Sequence, residues 1–199
     1  MIKMKLRSLI IVIYFTLVTV LLSCNHSVKK ESDSLKKVEI ESLKFRSDFT
    51  EKEIALIETS NEIIESSYYC TLVTIDQDGQ PRVRIMEPFA PDDSYEIWLA
   101  TNPKSRKVQQ IKNNSKATIN YFNKNELSYV SLMGNAFIVN DDAIKSQKWK
   151  EGWEQHYKNK KEDYLLIRFV PLTLELVSYS KGYTGDAVTW SPDKVELRN

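Results

Sequence analysis

Cysteine and histidine are scarce, at two each in 199 residues, and their scarcity excludes whole classes of chemistry. A zinc cluster of Cys and His ligands cannot be assembled, and neither can a disulfide scaffold. His26 falls in a polar N-terminal stretch, so His156 is the only histidine of the folded part, near a helix end where a capping or half-buried role is the default. Cys70 sits in mid-strand between Tyr69 and Thr71, the setting of a small buried hydrophobe rather than a reactive thiol. An excess of either charge is also missing, since 28 Lys and Arg stand against 27 Asp and Glu. Such a balance leaves no reserve of positive charge for phosphate backbones, which argues against a nucleic-acid partner. The five glycines form neither a G-x-G-x-x-G fingerprint nor a P-loop. Finally, the uncharged run from Leu9 to Leu22 is 14 residues, short of the roughly 20 that a membrane-spanning helix requires.

That short run has a meaning of its own. Lys3, Lys5 and Arg7 precede it, and Leu21-Leu22-Ser23-Cys24 follows. A basic start, a short apolar stretch and a small residue form the grammar of an export signal. The ending resembles a bacterial lipobox, in which Cys24 is acylated and becomes the first mature residue. Acyl chains on one cysteine bury enough methylenes to hold a soluble domain at a membrane. The expected product is an exported, membrane-anchored lipoprotein on the periplasmic or outer-surface side. Its leader, residues 1–23, takes three basic residues and no acid, which leaves a formal net charge of −2 on the remaining 176. Residues 24–47, rich in Ser, Lys and Glu, read as a polar tether. Residues 48–180 read as one folded domain and 181–199 as a C-terminal tail.

Within that domain, Thr50-Glu51-Lys52-Glu53 is a capping box, and apolar residues at 54, 56, 57, 63 and 64 predict an amphipathic helix over 50–66. The period then becomes two. Residues 68–75 and 80–86 form a hairpin around Asp78-Gly79, and 95–101 form a third strand. A helix opens at Ser105, and strands follow at 117–122 and 129–139. Residues 141–157 are helical in pattern, with Trp149 and Trp153 on one face. Two further strands, 164–170 and 172–179, are expected on either side of Pro171. This count is mainly β, or α+β by helix content: a small antiparallel barrel with peripheral helices.

One feature of the charge pattern points to a ligand. Arg82 and Arg84 alternate with Val83 and Ile85, so both guanidinium groups share one face of the second strand. Lys104, Arg106 and Lys107 then crowd the helix start at Ser105, where cations oppose the helix dipole. Their placement fits a bound anion such as a phosphate, beside unpaired amides of the first helical turn. An exposed basic turn without a ligand is the other reading.

Asp78-Gly79-Gln80-Pro81, Arg84, Met86, Trp98-Leu99-Ala100-Thr101 and Ser105 with Lys107-Val108 resemble, in order and spacing, the flavin-binding split barrel of the pyridoxamine 5′-phosphate oxidase superfamily. Residues 129–136, Trp149 with Trp153, and 165–171 resemble its general stress protein branch. The resemblance spans roughly residues 50–180 and implies a six-stranded antiparallel split barrel that forms homodimers and holds FMN at the dimer interface. It further implies that Arg84, Ser105 and Lys107 bind the FMN phosphate, with Arg106 assisting. Backbone groups of residues 83–86, including Ile85 and Met86, would face the isoalloxazine ring together with Thr101 and Asn102. No metal is implied. Trp149 and Trp153 read either as core packing or as a cover over the flavin, and Trp190 as a weaker case of the same kind. The tail carries Trp190 and Arg198 without the spacing of true pyridoxamine phosphate oxidases, which argues against vitamin B6 oxidation. The function implied is a flavin-dependent oxidoreductase of another substrate. Flavin or phosphate-ligand binding without turnover, and a non-catalytic structural domain, are the alternatives.

Overall fold

The helix that opens the domain is built by its own first turn. In the computed structural model, which describes residues 48–92 and 94–197, Thr50 Oγ1 accepts from the amide of Glu53, whose carboxylate accepts from the Thr50 amide at 2.8 Å. Helix α1 (Glu51–Glu65) buries Leu56, Ile57, Ile63 and Ile64. The leader, Cys24, the tether and Arg198 lie outside the described residues.

Period-two alternation produces the hairpin. Strands β1 (Cys70–Ile75) and β2 (Pro81–Met86) pair antiparallel around a turn in which Asp76 Oδ1 accepts from the amides of Asp78 and Gln80. Gly79 sits there at φ 78°, a left-handed conformation that glycine takes without strain. Next come β3 (Ile97–Thr101), helix α2 (Arg106–Asn113), β4 (Lys116–Asn123) and β5 (Ser128–Val139). After them come α3 (Asp142–Gln147), β6 (Leu165–Val177) and β7 (Asp193–Glu196). The hydrogen-bonded order is β2-β1-β4-β5-β6-β3, all antiparallel, with β7 added on β6. The result is a mostly antiparallel seven-stranded split barrel with peripheral helices. The sheet does not close into a ladder: the chain just beyond β2 meets β3 through one isolated bridge, Pro88 to Leu99, beside Phe89 N–H donating to Trp98 C=O at 2.8 Å.

Three expectations are corrected. The strands on either side of Pro171 are one strand, β6. Proline lacks an N–H and normally ends a central strand. Here β5 shifts register between Met133 and Gly134, so that Gly134 lies opposite Pro171. A Cβ on Gly134 would stand 2.1 Å from Val170 O, so only glycine admits this approach. The predicted helix over 141–157 stops at Gln147, where the Lys148 backbone leaves helical geometry at ψ 37°, and after Gly152 turns left-handed at φ 86° the chain resumes as a short 3-10 helix, Trp153–Gln155. Residues 193–196, read as part of the tail, add a seventh strand to the six that the resemblance implies, pairing with Thr173–Leu176 and burying Val195.

The core has two parts. The barrel interior is filled by Leu72, Leu99, Ile119, Tyr121, Leu132 and Leu174, none of them exposed. Outside it Trp98, Trp153, Tyr164 and Leu166 form a second cluster with Phe89, Trp149 and Tyr157. Trp149 and Trp153 meet edge to face at 5.9 Å, and Trp149 meets Tyr164 at 5.2 Å, a geometry aromatic pairs favour. Both tryptophans pack within the fold. A buried ammonium supports them: Lys145 is 3 % exposed, and its Nζ donates to Asn140 Oδ1 at 2.9 Å and to Lys161 C=O at 3.0 Å. Arg168 clamps β6 to the start of β3 by donating Nε and Nη2 to the two carboxylate oxygens of Glu96.

The crowding at the β5 bulge gives a direct test. Gly134→Ala has to displace backbone rather than a side chain, so it should cost about 2 to 4 kcal/mol, measured as a lowered denaturation midpoint.

Candidate functional site: a cationic corner at the split of the barrel

Residues on the inner face of β2 are those paired with the buried residues of β1. Arg84 stands opposite Leu72, and Arg82 opposite Thr74. Both arginines share that face, as alternation requires, but they meet different fates. Arg82 Nε donates to Asp76 Oδ2 at 2.7 Å, and that hydrogen bond is the main cause holding the Asp76 carboxyl below its ordinary range. Arg82 therefore belongs to the hairpin turn. Arg84 reaches inward instead, donating Nη1 to Thr74 Oγ1 at 2.6 Å and Nη2 to Gln110 Oε1 at 2.8 Å. Thr74 itself donates to Gln110 Oε1 at 2.7 Å, so the three groups form a closed triangle.

The second side of the corner comes from the end of β3. Thr101 is buried, and its hydroxyl lies 2.9 Å from Ser105 Oγ and accepts from Lys107 Nζ at 3.1 Å. Asn102 Oδ1 accepts from the Lys104 amide and shapes the turn into α2. Ser105 occupies the N-cap position without a capping bond from its side chain. The amides of Arg106 and Lys107 accordingly point out of the first turn with no acceptor in the helix. Of the positions read from the sequence, Arg84, Thr101, Ser105 and Lys107 converge, with Arg106 next to them. Met86 shares the inward face, whereas Ile85 is 65 % exposed on the opposite face, so its backbone alone can belong here. Thr74 and Gln110 were not visible in the sequence. Their only signal is position: Thr74 is an inward residue of β1, and Gln110 lies three residues after Lys107 on α2.

The electrostatics of this corner are unbalanced. Among the described residues neither Arg84 nor Lys107 has an acidic partner within ion-pair distance. Burial pulls both groups below their ordinary pKa values, and like charge adds to it: Arg106 acts on Arg84, and Arg84 on Lys107. Partly desolvated cations without a counter-charge, beside two hydroxyls and open helix amides, make a cradle for a compact anion. Beyond it, a cavity of about 290 Å³ lined by Asp76, Arg82, Arg106, Gln109 and Gln110 extends the polar surface. Other reactive groups stand apart. Burial pushes the Cys70 thiol up to about 12, and His156 is exposed beside the 3-10 helix. Among the described residues no cluster of His, Cys, Asp and Glu is arranged for a metal.

Comparison with known proteins agrees with this architecture. A Clostridium acetobutylicum protein related to general stress protein 26 is 25 % identical, with a TM-score of 0.59 over 71 % of this chain and 93 % of its own. General stress protein 26 of Bacillus anthracis is 22 % identical (TM-score 0.57, 71 % and 98 % covered). A pyridoxamine 5′-phosphate oxidase-related, FMN binding protein of Nostoc punctiforme shares the fold at 13 % identity (TM-score 0.53, 75 % and 96 % covered). No curated protein matches the chain. The family model of pyridoxamine 5′-phosphate oxidase matches residues 56–178, a span that runs from α1 through β6 and includes every residue of the cationic corner, and the chain therefore belongs to the pyridoxamine 5′-phosphate oxidase family.

Proposed function

We propose that this protein binds FMN through the cationic corner and acts as a flavin-dependent oxidoreductase at a membrane to which Cys24 anchors it. The observation that carries the reading is the pair of partly buried cations, Arg84 and Lys107, without an acidic partner among the described residues and with the exposed Arg106 beside them. Such a set is costly in the empty fold and is relieved by a phosphate dianion. In this reading Arg84 and Lys107 hold the phosphate from two sides. The hydroxyls of Thr101 and Ser105, with the amides of Arg106 and Lys107, complete its hydrogen bonds. Thr74 and Gln110 fix the Arg84 guanidinium in place. The backbone of Ile85 and Met86, with Asn102, borders the ring. A bound flavin supplies the redox chemistry, so no dedicated side-chain base is required of the protein. The Nostoc relative described as FMN binding supports the choice of ligand.

The outer face of the hairpin supports a homodimer. Val83 and Ile85 are each 65 % exposed there, and Val73, Ile75 and Met133 line an adjoining cavity of about 450 Å³. A second copy covering this face would remove apolar surface from water. Ile85→Asp should convert the dimer to monomer in analytical ultracentrifugation while leaving the fold intact by circular dichroism.

Purified protein should be yellow or become so on adding FMN, and failure to bind added FMN overturns the proposal. Arg84→Ala and Lys107→Ala should each weaken FMN binding by about 1.5 to 3 kcal/mol, read by flavin fluorescence titration. Turnover is tested separately by anaerobic reduction of the loaded protein with NADH or NADPH. Reduction by neither would leave a binding protein without catalysis.

Acidity gives a further check. Phosphate binding uses the protonated Lys107, so affinity should fall as pH rises through the lowered pKa of that group, earlier than for an ordinary lysine. Lys107→Arg should remove the fall. Stability of the ligand-free protein should move the other way: the unfolded lysine keeps its proton to higher pH than the folded one, so folding becomes more favourable across that window.

A further inference from the structure

The C-terminal loop between β6 and β7 takes no part in the cationic corner, and its construction points outward. Asp186 N–H donates to Ser191 C=O at 2.9 Å, and Trp190 N–H donates to Asp186 C=O at 2.8 Å. Asp186 Oδ1 accepts from the amides of Val188 and Thr189 and from the Thr189 hydroxyl. The loop thus satisfies its polar groups internally and leaves two apolar side chains in solvent, Val188 at 88 % and Trp190 at 82 % exposure. Trp190 is held at φ 59°, a left-handed conformation that side-chain-bearing residues rarely take.

The polypeptide enters the domain at the same place. Thr50, Lys52 and Glu53 at the start of α1 line a cavity of about 590 Å³ together with Gly185, Asp186 and Ser191 of this loop. Lys52 Nζ lies 3.6 Å from Asp193 Oδ1 across it. Cys24 precedes Asp48 by 24 residues, and 24 residues span at most about 85 Å however they are arranged. The tether joins the domain at this end, so this corner lies within that reach of a bilayer that holds Cys24.

We infer that Val188 and Trp190 form a lipid-contacting tip that seats in the headgroup region of the bilayer to which Cys24 is attached. The inference rests on the lipid-anchor reading given above. An indole suits that region, because its body is apolar and its single N–H finds a partner among headgroups. Two side chains bury too little apolar area to bind a membrane unaided. Anchored through Cys24, their contact becomes intramolecular and the demand on affinity falls. Positive charge contributes little, since Lys52 and Lys194 are paired with Asp193 and Glu196. Contact should therefore occur on neutral phosphatidylcholine and persist in salt.

The test uses the full mature chain in its lipidated form, reconstituted in phosphatidylcholine vesicles with acyl chains brominated near the headgroup. Trp190 emission is taken as the difference between the natural chain and Trp190→Phe. It should fall by about half or more in brominated vesicles relative to unbrominated ones and lose access to aqueous acrylamide, as expected of an interfacial indole. Equal emission in both vesicles, with Trp190 still open to acrylamide, overturns the inference. Shielding of Trp190 in the vesicle-free Cys24→Ala chain that grows with protein concentration also overturns it, in favour of a second copy. Palmitate labelling separates the two readings. Label present at Cys24 with no quenching refutes the lipid tip alone, whereas absent label refutes the anchor and the tip with it.

Discussion

Positive charge held away from both water and acid sets the terms for the rest of this structure. Arg84 and Lys107 come from two segments that have no pairing with each other, the second strand of a hairpin and the first turn of a helix. Like charges brought together under partial burial oppose folding, so something else has to hold those segments in place. Neutral hydrogen bonds do so at close range: Thr74 and Gln110 bracket the Arg84 guanidinium, and Thr101 and Ser105 hold the other side. None of these groups neutralises a charge. The corner is thereby fixed in shape and left electrically open, the condition under which an anion gains most from binding.

Fixing the shape requires the whole sheet. β2 is at one end of the strand order and β3 at the other, so the corner exists only because five intervening ladders bend the sheet around until its ends meet. The longest of those ladders joins β5 to β6, and it survives Pro171 because Gly134 yields the space. At the far end Glu96 and Arg168 hold β3 against β6 with two charged hydrogen bonds. A bulge, a glycine and an ion pair far from the cationic corner thus decide where Lys107 stands.

Features that depend on local order were legible in the sequence. The capping box at Thr50, the Asp78-Gly79 turn and the alternation of Arg82 and Arg84 each appear where their residue types require. Features that depend on a distant partner were not. Pro171 reads as a break until Gly134 is known to lie across from it. The helix expected through Trp153 ends at Gln147, and Gly152, at a positive φ, keeps the chain from resuming it. Arg82 and Arg84 look equivalent in sequence and differ in the fold only because Asp76 captures one of them. Thr74 and Gln110 carry no charge and sit in ordinary strand and helix positions, so nothing local marks them as the supports of the site. The strand at 193–196 is four residues long, too short for a periodic signal, and is recruited by the exposed edge of β6.

The position of β3 in the strand order has a consequence for how the chain reaches this state. β1 and β2 form a local hairpin, but Ile97–Thr101 must find Leu165–Phe169, some 68 residues later. Pairings of such sequence separation wait on the closure of a long loop. One half of the corner is therefore available early and the other only when the last ladder has formed. An anion bound by both halves would distinguish the finished fold from every precursor and, by mass action, would stabilise that fold alone.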